Sequence, residues 1–503
     1  DINAQGGFYG GVIQAAAVKG CKEIIELSLQ YGADINLQGG HVGTAIAAAA
    51  SEGHQDVVEY LVQHGADINL QGGNYGTAIT EAAYRGHQGI VEYLVQHGAD
   101  INLQGGNHGT AIAAAASKGH QGIVEYLVQH GADINLEGGN YGTAITEAAY
   151  GGHQGIVEYL VQHGADINFQ DGHYGTAIVA AASEGHHGIV DYLLQHGADI
   201  NLQGGVYGTA IVAAALQGHQ GIADYLVEHG ADINLQGGHV GTAIAAAAYQ
   251  GDQGIVEYLV QHGADINLQG GYFGTAIAAA ASGVHQDVVE YLVQHGADTN
   301  LQGGNYGTAI TAAAYRGHQG IVEFLIQHGA DINLQDGNYG TAIVAAAYRG
   351  HQGIVGYLFQ HGADINFQGG HYGNAIVAAA SEGHHGIVDY LVQHGADINL
   401  QGGNYGTAIA AAAYQGDQEL VEYLVQHGAD INLQDGEYGT AIAAAAFWGH
   451  QDVVEYLVQH GADVNLQSGQ YRTAVTAAAS EGHQDIVESL LQHGAVLNLH
   501  GGD

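Results

Sequence analysis

From His87 to His97 the sequence HQGIVEYLVQH sets Ile90, Val91, Leu94 and Val95 at spacings of one, four and five, which is one apolar face of an amphipathic helix. Just upstream, Thr77 to Tyr84 reads TAITEAAY, a short run whose alanines favour helix and whose threonine is placed to act as an N-cap. Gly86 separates the two stretches, and Gly98 stands where a left-handed residue closes the second. Ahead of both, Gly72, Gly73 and Gly76 lie among polar neighbours. They predict a tight turn, because glycine reaches positive φ without steric cost. The predicted unit is turn, short helix, turn, longer helix.

The unit recurs. Asp1, Asp34, Asp67 and every thirty-third position up to Asp463 open a copy, so fifteen copies follow one another without insertion or deletion, and a partial sixteenth covers residues 496–503. A period of this length sustained from end to end predicts a solenoid, in which each unit packs only on its neighbours. Residues 1–503 are therefore expected to form a single continuous array of 33-residue helix-turn-helix units with β-turn tips, not the three or so domains that length alone would suggest. Positions are numbered 1 to 33 from the opening aspartate, so Asp67 is position 1 and Ala99 position 33. Alanine dominates positions 12, 15, 16 and 17. First helices can then approach one another more closely than second helices bearing Ile, Val, Leu and Tyr, which predicts a concave first-helix face.

The recurring words D-I-N, G-T-A-I, A-A, G-H, I-V, L-V and G-A-D resemble the ankyrin repeat. That family's usual wording is a TPLH tetrapeptide, then AA, GH, two short helices and GADVN. The resemblance covers all fifteen copies and implies an all-α ankyrin solenoid, with its partner site on the concave rim. The tetrapeptide departs from the pattern: it reads TAIT at Thr77–Thr80, TAIA at Thr44–Ala47 and TAIV at Thr176–Val179. The proline that pre-sets φ at the first helical position is missing, and so is the histidine, so softer helix starts are expected. The GG-x-YGTA wording is most similar to the long C-terminal ankyrin arrays of fungal NACHT-type (STAND) receptors, which implies the ligand-sensing segment of a larger protein.

Charge narrows the partner classes. Seven lysines and arginines against fifty aspartates and glutamates give a net charge of −43, the opposite of what a phosphate backbone needs. Nucleic acid is not expected as a partner. Neither an eighteen-residue apolar stretch nor a basic amphipathic helix is present, so no membrane association is expected. Cys21 is the single cysteine, which fits a reducing, cytoplasmic setting. The chain contains no methionine and opens on the first residue of a copy, as a fragment, a processed product or an idealised design would. In the first copy Gly11, Val12, Gln14, Lys19, Cys21, Lys22 and Tyr31 are atypical, and in the last Gln470, Arg472 and Ser489 are. Polar irregularity at the ends suits caps, although Leu490, Leu491 and Leu497 make the last cap a poor one.

Where the copies disagree is where function is expected. Position 8 holds Phe8, His41, Asn74, His173, Val206, Tyr272, Glu437 and Gln470 among others. Position 18 switches between serine (Ser51, Ser117, Ser183) and tyrosine (Tyr84, Tyr150, Tyr249, Tyr315, Tyr348), with Leu216 and Phe447. Position 19 runs through Glu52, Arg85, Lys118, Gly151, Gln217, Arg316, Arg349 and Trp448, and takes five of the seven basic residues. These positions fall at the turn tip and at the end of the first helix. Tyrosine, tryptophan and arginine are the types that make binding hot spots. The expected contact residues are Asn74, Tyr84, Arg85, Lys118, Tyr150, Tyr249, Tyr272, Tyr315, Arg316, Tyr348, Arg349, Phe447 and Trp448, with Phe447 and Trp448 together as the strongest single anchor.

The remaining chemistry reads as structural. Of the 34 histidines, fourteen occupy position 31 and twelve position 21. Layers about 10 Å apart do not bring three or four ligands together, so hydrogen bonding is expected of them, and no metal or cofactor. The glycine clusters lack the lysine of a phosphate loop, and identical ladders of carboxylates offer no unique nucleophile and base, so no catalysis is expected. Aspartates at position 1 and acids such as Glu92 and Glu125 at position 26 form two acidic stripes that would steer a basic partner in a salt-dependent way. The expected protein is a non-enzymatic interaction scaffold that binds a protein or peptide ligand, with a basic one favoured by those stripes. The alternative is a structural scaffold of rods stacked head to tail.

Overall fold

The computed structural model describes residues 2–138, 142–170, 172–335, 337–467, 469–470 and 473–496. Among these are thirty α-helices in fifteen consecutive pairs, one pair to each copy. They fall into two compact units, residues 1–247 with 257–264, and residues 248–256 with 265–503. Each unit is built in the same way.

In the third copy the first helix is Ala78–Arg85 and the second Gln88–Gln96. Thr77 begins the first in extended backbone, and its side chain accepts the N–H of Thr80, so the expected N-cap is present without proline. Gly98, at φ +93°, follows the second helix in the left-handed region. Tips are closed by paired glycines, Gly72 with Gly76 and Gly39 with Gly43.

The core is one layer thick and repeats. Ala78, Ile79, Ala82 and Ala83 of the first helix are buried, as are Ile90, Val91 and Leu94 of the second. Alanine-rich first helices such as Ala45–Ser51, Ala78–Arg85 and Ala111–Ser117 pack on one another more extensively than the second helices do, as expected where only methyl groups separate two backbones. At the tips the contact is backbone on backbone: a Cβ on Gly43 would collide with the carbonyl of Gly72 one copy along.

Two hydrogen-bond series tie copy to copy. The N–H of Asp67 donates to Oδ1 of Asn36 at 2.8 Å, and Asn69 Nδ2 donates to the carbonyl of Gly98 at 3.3 Å. At the tip, Asn74 N donates to His41 O at 3.0 Å, and His41 N to Phe8 O at 2.8 Å. Position 8 is thus fixed by its backbone whatever its side chain, which is why that side chain is free to vary.

The first copy is not the polar cap expected of it. Gln14 turns inward, fully buried, and its Nε2 donates to Leu37 O at 2.7 Å. Val12, Ile24 and Leu27 are 46, 47 and 53% exposed. Ile24 occupies the position that buries Ile90 in an interior copy. In the last copy Leu490 is buried and Leu491 is 37% exposed. Arg472, Leu497 and nearly all of the partial copy lie outside the described residues.

Candidate functional site

The histidines take the structural parts expected of them. At position 21, His87 Nε2 donates to Ser51 O and His120 Nε2 to Tyr84 O, each at 3.1 Å. Since a carbonyl can only accept, Nε2 carries the proton. The acceptor is the position-18 carbonyl of the preceding copy, near the end of its first helix, so each ring stitches two copies together. At position 31, His64 Nδ1 donates to Tyr60 O at 2.8 Å, and the two rings stack at 3.9 Å. Among the described residues no three His, Cys, Asp or Glu side chains converge as metal ligands would. His87→Ala should leave the Ser51 carbonyl without its donor and cost about 1–2 kcal/mol. Faster amide exchange at 45–51 and 78–85 would report that loss.

The carboxylates of the two acidic stripes are engaged locally. Asp67 Oδ1 accepts from Asn69 N at 2.9 Å, and Glu92 Oε1 accepts from Gln88 Nε2 at 2.9 Å. The acids thus brace the turn and the second helix as well as carrying charge.

The variable positions form a row along the tips and first-helix ends of each unit. Asn74, Arg85, Lys118, Arg316 and Arg349 are exposed, and Tyr272 and Trp448 are each 46% exposed. Position 18 differs from expectation. Its serines are not surface variation: Ser51 and Ser183 are buried, and Ser117 is half-buried. Its aromatics, Tyr84, Tyr150, Tyr249, Tyr315, Tyr348 and Phe447, are half-buried.

The cause is a partner that the sequence reading missed, the residue at position 9 of the following copy. Tyr84 stacks on His108 at 3.7 Å, Tyr150 on Tyr174 at 4.3 Å and Tyr249 on Phe273 at 4.1 Å. Tyr348 stacks on Tyr372 at 4.0 Å, and Tyr315 meets Tyr339 at 4.4 Å in a tilted arrangement. Burial lifts the phenols of Tyr174, Tyr339 and Tyr372 far above their ordinary range, helped by the neighbouring tyrosines, so these rings stay neutral. A signal was present in the chain: the two valines at position 9, Val42 and Val240, follow the two copies with an aliphatic residue at position 18, Val18 and Leu216.

In the second unit these contacts join into an aromatic run. Tyr272 meets Tyr306 edge-on at 5.9 Å, Tyr306 lies 5.7 Å from Tyr315, and Tyr339 stacks on Tyr372 at 6.1 Å. Further along, Trp448 packs edge-on against Tyr414 at 5.1 Å and Phe447 at 5.4 Å. Cations lie over these rings: Arg349 is 4.9 Å from the centre of Tyr315, and Lys118 is 4.7 Å from that of Tyr84. Such a row can offer flat apolar faces and a few positive groups. Its geometry is that of a contact surface.

Beneath it in the first unit lies a polar cluster that the sequence reading also missed. Glu81 is 1% exposed, accepts a hydrogen bond from Ser51 Oγ at 3.2 Å and has Oε1 3.7 Å from His108 Nε2. Burial pushes the Glu81 carboxyl up to about 7. His108 is driven down to about 4 by burial and by the charges of Lys118 and Arg85. Each group therefore favours its neutral form, and the 3.7 Å contact is not an ion pair at neutral pH.

The family model described as Ankyrin repeats (3 copies) matches residues 12–105, 102–171, 168–237, 244–336, 276–369, 329–402, 369–435 and 409–500. No curated protein matches the chain significantly. Among the described residues no helix is long and apolar enough to cross a membrane.

Proposed function

The chain belongs to the ankyrin repeat family, and on that footing we propose that it binds a protein or peptide partner along the row of tips and first-helix ends. Ankyrin repeats are in general protein–protein interaction scaffolds and typically non-catalytic. The observation that carries the choice of surface is the contrast between variable and constant positions. The second-helix core positions of Ile90, Val91 and Leu94 hardly change from copy to copy, while exposed tips and helix ends change to Tyr272, Arg316, Arg349 and Trp448. Those types give binding energy out of proportion to their number. Second-helix surface positions, such as those of Gln88 and Gln121, are exposed too yet nearly uniform, so exposure alone does not account for the difference. A role as the ligand-sensing segment of a larger receptor is consistent with such a row, whose copies share one scaffold and differ in what they present.

Peptides selected from a random display library against the full chain provide the test, read by hydroxyl-radical footprinting. Tyr272 and Trp448 should be protected in complexes, while Tyr60 and Tyr93 on the second helices should be oxidised as before. Protection of the second-helix tyrosines alone would overturn the choice of surface.

A further inference from the structure

Seven cations share this chain with fifty carboxylate side chains, a ratio at which most lysines and arginines ought to have an acid beside them. Among the described residues no lysine or arginine nitrogen lies within 4.0 Å of a carboxylate oxygen, although Arg85 is near enough to Glu81 to act on its charge; the two contacts at that distance are made by histidines, His108 with Glu81 and His385 with Asp417. Five of the six described lysines and arginines, Lys22, Arg85, Lys118, Arg316 and Arg349, are instead set near aromatic rings. Arg316 Nη2 donates to Tyr306 Oη at 3.0 Å and the guanidinium lies 5.5 Å from that ring's centre. Arg349, at the same position of the next copy, lies over Tyr315. Arg85 and Lys118 repeat the arrangement around Tyr84, at 5.8 and 4.7 Å.

A guanidinium has five N–H donors in a rigid fork. The Tyr306 hydroxyl accepts from one nitrogen of Arg316 and so positions the guanidinium without satisfying its remaining donors. An arginine pre-oriented in this way matches a carboxylate, which takes two parallel N–H groups at once. Gly283 precedes Arg316 in the position-19 row and Glu382 follows Arg349, so the cationic station spans two copies and ends at an acid. The position-1 aspartates sit elsewhere, in the turn that opens each copy.

We infer that the partner segment docked at this station is acidic, an extended peptide whose carboxylates are taken by Arg316 and Arg349 against the half-buried rings of Tyr315, Tyr339 and Tyr348. The inference rests on the reading that this row binds protein or peptide. It names a partner class opposite to the one the acidic stripes would steer, and the unpaired arginines are the reason.

The experiment is a comparison of display-selected peptides on the wild-type chain and on R316E/R349E, both checked for unchanged helical circular dichroism, with R316Q/R349Q as the milder second variant. Row-binding peptides that compete at the station should be enriched in Asp and Glu, should lose about tenfold or more in affinity on R316E/R349E, and should weaken as salt is raised. Peptides that protect the row but are neutral or basic, or acidic ones that bind both variants as tightly as wild type, would overturn the acidic assignment and leave the row intact as a binding surface. Peptides that protect only the second helices would instead remove the row itself.

Discussion

Gly43→Ala is expected to destabilise its neighbourhood by about 3 kcal/mol, and Gly65→Ala by only about 1 kcal/mol, although both glycines have strongly positive φ, +77° and +91°. The shared part is the left-handed conformation, which costs an L-residue roughly 1–2 kcal/mol. What differs is the space. A Cβ at Gly43 would enter the Gly72 carbonyl of the next copy, whereas at Gly65 it meets nothing within 4 Å. Backbone cannot rotate away as a side chain can, so the tip must open, adding about 1–3 kcal/mol as overpacking does elsewhere. Opening the tip also stretches the bond from Asn74 N to His41 O, which joins the same two copies. Amide exchange at residues 39–43 and 72–76 measures the result. Equal effects of the two substitutions would mean that tips are not held by backbone contact between copies.

The same contrast shows how far the fold could be read from the chain. Period, helix pair, threonine caps and the left-handed Gly98 were legible, because each follows from local chemistry repeated at a constant step. Contacts between copies were not, because they join residues more than twenty residues apart. Gly43 read as a turn residue, and only its approach to Gly72 shows that the tip leaves no room for a side chain. Position 18 read as free surface for the same reason: serine and tyrosine alternate there as exposed residues often do. In the structure the position packs between copies: serines such as Ser51 and Ser183 turn inward, and its tyrosines are received by the ring at position 9 of the next copy, as for Tyr150 and Tyr174. Of the candidate site, the exposed cations and tip residues were visible in the sequence. The ring partners that support those cations, and the absence of ion pairs around them, were not.

Glu81→Gln should stabilise the first unit at pH 8 and change little at pH 5. The carboxyl sits among Ser51, His108 and Arg85, with Tyr84 stacked on His108 and Lys118 acting on the His108 ring. In the unfolded chain it titrates near 4.5 and in the folded chain at about 7. Between those values the native state holds more protons than the unfolded state, so stability falls as pH rises through the window, and the full cost is present above 7. His108 has the opposite sign. Lowered from 6.5 to about 4, it binds fewer protons when folded, so its contribution rises with pH between those values and is common to both variants. The span from 4.5 to about 7 corresponds to about 3 kcal/mol at most, and residual hydration reduces the expected gain to about 2 kcal/mol. Glutamine keeps an oxygen for the Ser51 hydroxyl and offers an N–H to the neutral His108 ring, so the shape of the cluster is retained. Because a repeat array does not unfold all or none, the readout is local: amides of 45–51, 78–85 and 111–117 should exchange about thirty-fold more slowly than wild type at pH 8 and at the same rate at pH 5. A gain of equal size at both pH values would point to better packing and not to a removed charge. A loss at pH 8 would mean that the ionised carboxylate is held by the cations around it, and that the cluster acts as a charged latch between copies.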